Sequence, residues 1–257
     1  MSRSPITRGS DLPDTNALLR ESSHRPWALP RAPWVMFQSW QEQLFMHWPV
    51  RREMLRELVP KELELDTYHG TAYVGVTPFL LSDLRVRMLP PLPGVSRFLE
   101  TNLRTYVNVG GKPGVFFFSL DAASRLAVAG ARASFHLPYF FADMKSQRQA
   151  EWIRYRTSRR TDSAQLVVRY RPTGDAFLAA PGTIDHFLIE RYALYVVHRG
   201  RVIRGDIHHR QWKLRPAAAT IEVNTIPRAH HIELPAIDPL LHYSARQDTL
   251  IWLPSVV

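Results

Sequence analysis

The chain has 257 residues, 45% of them hydrophobic, which is enough apolar material for a substantial core and excludes an intrinsically disordered protein. It contains no cysteine, and this excludes disulfides, thiol nucleophiles and thiolate metal sites. The formal net charge is +10, with 33 basic residues of which only four are lysines, so a nucleic-acid partner has to be weighed against a compositional preference for arginine.

The first 30 residues mix serine, proline, arginine and acids without periodicity, and they predict a poorly ordered N-terminal arm. They contain no apolar segment of the kind found in secretory signals. No run elsewhere approaches the roughly 20 apolar residues that span a bilayer. We therefore expect a cytoplasmic protein without a membrane span, in which residues 31–257 form a single domain.

After the arm, the chain carries many short strand patterns and few helical ones. A helix is predicted over 50–58, where apolar residues recur at helical spacing, and another helical segment begins at Thr183. A third helix is predicted from Asp121, taken as its cap, to Ala129. Strands are predicted around 72–79, 98–107, 115–120, 132–136, 152–157, 165–171, 192–198, 201–208, 211–215, 220–225 and 249–253. This pattern predicts a mainly β domain built on a closed or nearly closed sheet.

The segment FLETNLRTYV, residues 98–107, alternates two kinds of side chain. In a strand, leucine, threonine and valine residues would share one face. The other face would carry four polar residues: Glu100, Asn102, Arg104 and Tyr106. A glycine-rich turn over 110–114 follows and predicts a hairpin. The polar row is either the wet side of a sheet or the lining of a cavity, and periodicity alone does not decide between them.

Two strand-like segments, 153–156 and 168–171, contain the triplet Arg-Tyr-Arg. Arginines beside tyrosines can bind phosphates and stack on bases, so their shared face is an alternative, nucleic-acid-binding site. Its members are Arg154, Arg156, Arg169 and Arg171, with Arg159 and Arg160 nearby. Basic residues are also ordinary on the exposed face of a sheet, and no recognised nucleic-acid motif accompanies these. Nucleic acid is therefore the alternative and not the main expectation.

Motifs for cofactors and metals are weak in this sequence. It lacks the glycine-rich phosphate loops and the nucleophile elbow of hydrolases. His186 and Glu190 stand four residues apart, so a helix would place both on one face, as metal ligands can be. A surface pair near a helix end has the same spacing. We expect neither a metal nor another cofactor.

Several blocks of the sequence together resemble the YqjF-like family of uncharacterised bacterial proteins, over about residues 31–255. The blocks are WVMFQSW (34–40), LFMHWPV (44–50), ETNLRTYV (100–107), FFSLDA (117–122), HLPY (136–139), FLIERY (187–192) and LIWLP (250–254). That family is in turn distantly similar to acetoacetate decarboxylases. The resemblance implies a mainly β (α+β) fold, with a cone-shaped β-barrel, a surrounding antiparallel sheet and a few short helices.

The resemblance also implies where a site lies. Acetoacetate decarboxylases place a pocket glutamate at the position matched by Glu100, which would turn the polar face of its strand inward. Their paired lysines directly follow the proline matched by Pro138, and one of them forms a Schiff base. Here those positions hold Tyr139 and Phe140, and a tyrosine cannot form an imine. Acetoacetate decarboxylase activity is therefore not expected.

These arguments predict a small-molecule site without Schiff-base chemistry. The candidate catalytic residues are Glu100 and Tyr139, and the candidate ligand-binding residues are Asn102, Arg104, Tyr106, Arg132, Glu190 and Arg191. Arg104 would bind a carboxylate or similar oxyanion, while Glu100 would hold that arginine or serve as an acid or base. The expected partner is a small organic ligand, a carboxylate or a carbonyl compound. Three alternatives stay open: a non-catalytic binder, a homo-oligomer, and a scaffold whose barrel is filled by aromatic side chains.

Overall fold

The computed structural model of this protein describes residues 13–257 and is mainly β, with thirteen strands in one continuous sheet. The strands are β1 (Met36–Val50), β2 (Glu64–Leu65), β3 (Ala72–Val86), β4 (Phe98–Val109), β5 (Lys112–Ala122), β6 (Tyr139–Gln149), β7 (Trp152–Arg159), β8 (Gln165–Pro172), β9 (Ala193–His198), β10 (Arg201–His209), β11 (Arg215–Asn224), β12 (Leu240–Ile251) and β13 (Ser255–Val256). The helices of the described chain are α1 (Thr15–Arg20), α2 (Arg52–Leu58), α3 (Arg125–Phe135) and α4 (Ile184–Ile189), with a 3-10 turn at Arg228–His230. None of these helices is long and apolar enough to cross a bilayer.

Strand pairing closes two rings that share a wall. The seven-strand ring consists of β1, β3, β4, β5, β9, β10 and β12, each paired with the next and β4 paired with β5. In the nine-strand barrel, strand pairing runs from β5 through β6, β7, β8 and β11 to β12. Strands β12, β1, β3, β4 and β5 belong to both. The predicted mainly β fold with a closed barrel is thus confirmed.

The nine-strand barrel is filled by its own side chains. Leu103 of β4 is fully buried in a cluster with Ile153 and Tyr155 of β7 and Tyr170 of β8. The Tyr155 hydroxyl donates to the backbone carbonyl of Glu100 at 2.8 Å, so this buried hydroxyl has its hydrogen bond within the core. Because successive strand residues point to opposite sides, the other face of β4 points into the seven-strand ring.

The hairpin and two helices confirm their local signals. The β4–β5 hairpin turns at Gly110 and Gly111, whose φ angles are 58° and 74°. Positive φ at both central residues matches the twist of a two-residue hairpin and favours glycine there. The helix predicted over 50–58 is α2, and the segment predicted at Thr183 is α4, capped by the Thr183 side chain.

One predicted helix cap and two predicted strands are wrong. The third helix, α3, begins after Ser124, whose side chain accepts a backbone hydrogen bond at 3.3 Å. Asp121 is not its cap, because its carboxylate is buried at the end of β5 and lies 2.7 Å from Arg159. The strand predicted over 132–136 falls largely within α3, and the strand predicted over 211–215 is absent because β11 begins only at residue 215.

The N-terminal segment differs from the poorly ordered arm that its composition predicts. Leu18 of α1 is buried in a cluster with Phe37 of β1. The guanidinium of Arg25 is buried and donates to the carbonyl of Ile207 at 2.6 Å. Burial of these two side chains fixes a segment with little periodicity of its own. The part of the predicted arm within residues 1–12 lies outside the described residues, and the single domain stays a prediction.

Candidate ligand site

The seven-strand ring surrounds a cavity of about 440 Å³, within the range of small-molecule sites, roughly 300–1,000 Å³. Its lining includes Glu100, Asn102 and Arg104, consecutive members of the polar row on β4. Glu100 is only 3% exposed. The polar face of this strand is therefore the lining of a cavity and not the wet side of a sheet.

Glu100 and Tyr139 form a buried pair at this wall. Tyr139 begins β6, whose parallel pairing with β5 brings the tyrosine beside β4. Its hydroxyl donates to Oε2 of Glu100 at 3.1 Å. Burial raises the pKa of Glu100 to about 8, an effect that hydrogen bonds from Tyr139 and Asn102 offset only in part. Burial and the neighbouring Glu100 also raise the pKa of Tyr139 well above its ordinary value. At neutral pH, Glu100 is therefore a protonated acid.

Arg104 lies further along β4, beside aromatic rings. Its guanidinium carbon is 5.4 Å from the centre of the Phe45 ring, and one terminal nitrogen is 3.4 Å from the carbonyl oxygen of Leu188. Its Nε is buried and finds no hydrogen-bond partner among the described residues. Gly75, on the neighbouring strand, makes room for His47, since a Cβ there would lie 2.9 Å from Cδ2 of His47, while Cγ of Arg104 at 3.5 Å would be in ordinary contact.

Glu100 does not hold Arg104, although this was one of the two roles predicted for it. Four residues along a strand separate their Cα atoms by about 13 Å, and the carboxyl of Glu100 is engaged by Tyr139 instead. The arginine that does form an ion pair at this wall is Arg191, whose partner is Asp66. Arg191 also lines the cavity. The acid or base role of Glu100 stays a prediction.

Three predicted ligand-binding residues lie outside the cavity lining: Tyr106, Arg132 and Glu190. The Tyr106 hydroxyl donates to the carbonyl of Leu188 at 2.9 Å, and Nε of Arg132 donates to the carbonyl of Tyr139 at 2.7 Å. The carboxylate of Glu190 accepts the Trp212 amide at 2.9 Å. These polar groups are thus used within the protein. They position neighbours of the cavity, and their predicted direct contact with a ligand is corrected accordingly.

Sequence reasoning missed other polar residues of the lining, chiefly Gln43, His209 and Trp212. Oε1 of Gln43 and Nε1 of Trp212 are buried without hydrogen-bond partners in the described chain, as is Oδ1 of Asn102. Strand alternation does not predict that Gln43 lines the cavity, because Glu42 has a φ of 51° and the β1–β3 register shifts there. Trp212 lies between β10 and β11, in the segment 211–215 that was wrongly predicted as a strand.

The cavity lining holds no lysine and no metal-site cluster among the described residues. Of the lysines, all within residues 13–257, none contributes to the lining. Within the same range, no cluster of histidine and acidic side chains has the arrangement of a metal site. The polar groups of the lining are carboxyl, amide, guanidinium, imidazole, phenol, indole and, at Ser134, hydroxyl.

The predicted basic face lies on the outside of the nine-strand barrel. Arg154 stands directly opposite Arg169, and Arg169 lies 4.6 Å from the centre of the Trp152 ring. Part of its charge is paired, for example between Arg154 and Glu222 at 3.1 Å. Arg159, expected nearby, is buried in its ion pair with an aspartate instead. Nucleic-acid binding by this face stays a prediction, as does a homo-oligomer.

Comparison with known proteins places this geometry in context. The solved acetoacetate decarboxylase from Legionella pneumophila superposes with a TM-score of 0.62 at 13% identity, covering 97% of both chains. The enduracididine biosynthesis enzyme MppR, solved in complex with pyruvate, gives 0.61 at 12% identity, covering 99% of this chain and 98% of that one. At such low identities these likenesses show a shared fold.

Sequence comparison identifies the family. The chain is 51% identical to the uncharacterized protein YqjF of Bacillus subtilis (strain 168) over 226 residues, which cover 88% of this chain and 93% of YqjF. Residues 37–248 match DUF2071, described as an uncharacterized conserved protein. The predicted resemblance is confirmed, and this chain, with its acetoacetate-decarboxylase-like fold, belongs to the DUF2071 family.

Proposed function

We propose that this protein binds a small organic molecule with an acidic or carbonyl group inside the seven-strand ring, and that Glu100 acts on it as an acid. The observation that carries this proposal is the row Glu100, Asn102 and Arg104 facing a cavity whose polar lining residues have buried atoms without hydrogen-bond partners among residues 13–257. Each buried polar atom left unpaired costs about 1–3 kcal/mol. A ligand that pairs these atoms regains that free energy.

The unpaired atoms specify the chemistry of the ligand. Nε of Arg104 and Nε1 of Trp212 are donors, and a guanidinium suits a carboxylate. Oδ1 of Asn102 and Oε1 of Gln43 are acceptors. The complementary ligand carries an oxyanion together with a hydroxyl or amine that can donate. MppR, which shares the fold, was solved with pyruvate, a small keto acid.

The state of Glu100 specifies its role. With a pKa of about 8, its carboxyl keeps its proton at neutral pH while Tyr139 occupies Oε2. The O–H is then available to donate to a carbonyl oxygen of the ligand and to transfer its proton as charge develops there. Because Tyr139 and Phe140 replace the lysine pair of the decarboxylases and no lysine of the described chain lines the cavity, the proposed chemistry forms no imine.

The test is a thermal-shift screen of the full chain against small carboxylates, keto acids and hydrophobic carbonyl compounds. A ligand present at 100 times its Kd adds about 2.7 kcal/mol to the free energy of unfolding. For a chain of this size that raises Tm by about 5–10 °C. We expect Arg104→Gln to abolish the shift. The matched control is Arg156→Gln, which removes an exposed arginine of the outer sheet face and should leave the shift intact.

A second substitution separates binding from catalysis. Glu100→Gln keeps the shape and the acceptor for Tyr139 but removes the transferable proton. A hit that Glu100→Gln still binds, but no longer converts in a product assay by NMR, establishes the acid role. The absence of any Tm shift across the panel, or equal shifts in wild type and Arg104→Gln, would overturn the proposed site.

A further inference from the structure

The cavity changes character between its buried end and its open end. The buried lining residues include polar Asn102 and Gln43, neither more than 7% exposed. The lining residues that reach solvent are mainly apolar: Leu126 and Leu253 are each 70% exposed and Val86 is 55% exposed, and Ser134 is the exposed polar one among the described residues. Large apolar side chains exposed together around an opening are characteristic of a site that binds apolar groups.

Between these ends the wall is apolar. It includes Leu81 and Leu84 of β3, Phe98 of β4, Leu137 before β6 and Ile251 of β12. Without a ligand, water would lie against these hydrocarbon side chains. Removing such apolar surface from water is favourable by roughly 25 cal/mol per Å².

Helix α3 supplies a side of this apolar part that is built from small residues. Ala127, Gly130 and Ala131 line the cavity, at the helical spacing that places them on one face. A Cβ added at Gly130 would meet no heavy atom of the described residues within 4 Å. The small side chains leave space where leucine or phenylalanine at the same positions would fill it.

The polar and apolar parts follow one strand. Phe98, Glu100, Asn102 and Arg104 line the cavity in order along β4. The six residue-to-residue steps of strand from Phe98 to Arg104 extend about 20 Å. A keto acid of three or four carbons occupies only part of that length.

We infer that the ligand is an amphipathic acid, whose oxyanion reaches Arg104 and whose hydrocarbon part fills the apolar region as far as Leu126 and Leu253. This inference rests on the proposed function for its polar end. It adds the substrate class: an acid with a flexible aliphatic tail of medium length.

The test measures Kd by calorimetry for butanoate, hexanoate, octanoate and decanoate, each below its micelle concentration, with the matching primary alcohols as uncharged controls. We expect affinity to rise roughly fourfold per added methylene, which corresponds to about 0.8 kcal/mol. The gain should end once the tail reaches the opening. Each alcohol should bind more weakly than the carboxylate of equal length.

A matched pair of variants locates the tail. Gly130→Trp adds a large ring on the cavity side of α3, while Ala129→Trp adds the same ring to its exposed side. Gly130→Trp should remove the gain with chain length and leave butanoate binding within about twofold. Ala129→Trp should leave all four dissociation constants as in wild type.

The outcomes separate this inference from the proposed function. A flat chain-length series, with butanoate binding still lost in Arg104→Gln, overturns the tail and leaves the proposed function standing. A rising series that alcohols match and Arg104→Gln does not change overturns the proposed polar end. A rising series that survives Gly130→Trp places the tail outside this cavity and overturns the inference. Absence of binding by every probe overturns both.

Discussion

The two faces of β4 meet two differently built interiors. On one face Leu103 packs with Tyr155 in the nine-strand barrel, which is filled. On the other face Asn102, Arg104 and Glu100 border a cavity in the seven-strand ring. A period of two therefore encodes both a core and a site in one strand. Apolar residues alternate with polar ones here because each face has a different neighbour, although both faces are shielded from bulk water.

The two interiors also differ in the polar side chains that they bury. In the nine-strand barrel the Tyr155 and Tyr170 hydroxyls donate to backbone carbonyls, at 2.8 and 2.6 Å, although Oγ1 of Thr157 is buried without a partner in the described chain. Around the seven-strand ring, side-chain atoms of Asn102, Arg104 and Trp212 stay unpaired within the same residues. Paired polar atoms stabilise the fold, whereas unpaired ones cost stability.

The largest expected effect compares neighbouring residues on opposite faces of β4. Leu103→Ala should lower the free energy of unfolding by about 2–5 kcal/mol, because it opens a void in a filled core. Asn102→Ala should lower it by about 0.5–1.5 kcal/mol, because it removes the hydrogen bond to Glu100, while Oδ1 has no partner among the described residues. Urea unfolding measures both. Equal losses would mean that the two faces are packed alike.

The next effect tests the buried acid through pH. The unfolded chain loses the Glu100 proton near its ordinary pKa of 4.5, while the folded protein keeps it until about pH 8. Between these values the folded state binds more protons, so stability falls as pH rises, by up to about 1.4 kcal/mol per pH unit.

Glu100→Gln isolates this contribution, since glutamine does not titrate. The stability of wild type minus that of Glu100→Gln should fall between about pH 4.5 and 8 and change little above that range. Denaturant titrations at a series of pH values measure the difference. A difference that rises with pH instead would show that Glu100 is ionised in the folded protein, and the acid role would fail with it.

The extent to which these features follow from sequence depends on how local their causes are. The hairpin at Gly110, helix α2 and the alternation that holds Glu100, Asn102 and Arg104 on one face were predicted from short-range patterns, and the structure has all of them. Periodicity could not say what the polar face meets, because closure of the seven-strand ring depends on pairings between distant strands. The resemblance to a known family supplied that expectation.

The missed features have long-range or irregular causes. Gln43 follows a positive-φ residue that breaks the alternation of β1, and Trp212 lies in a segment that resembles a strand but forms none. Asp121 looked like a helix cap because Arg159, its buried partner, is far away in sequence. Tyr106 and Glu190 have suitable chemistry for a ligand, but their polar atoms already have hydrogen-bond partners within the protein.

A smaller effect tests the space beside His47 at the shared wall. Gly75→Ala places a Cβ 2.9 Å from Cδ2 of His47, whereas Cγ of Arg104, at 3.5 Å, would be in ordinary contact. Overpacking of this kind lowers the free energy of unfolding by about 1–3 kcal/mol, which urea unfolding measures. Gly130→Ala is the control: its Cβ meets no heavy atom of the described residues within 4 Å, and in a helix it should stabilise by at most about 1 kcal/mol. If Gly75→Ala leaves stability unchanged, Gly75 is not what makes room for His47.

The smallest effect concerns the outer face of the nine-strand barrel, where charge and not packing determines how a substitution changes stability. Arg156 is exposed and stands directly opposite Lys145 in the β6–β7 register. Like charges in that position repel, so Arg156→Gln should stabilise the protein by up to about 0.5 kcal/mol. The gain should shrink in 1 M salt, where the screening length falls to about 3 Å. Glu222→Gln, which frees Arg154 from its ion pair, should have the opposite sign. If nucleic acid retains the protein at low salt and Arg156→Gln reduces this retention, the face instead binds nucleic acid. The like charges that destabilise the fold would then serve to bind phosphates.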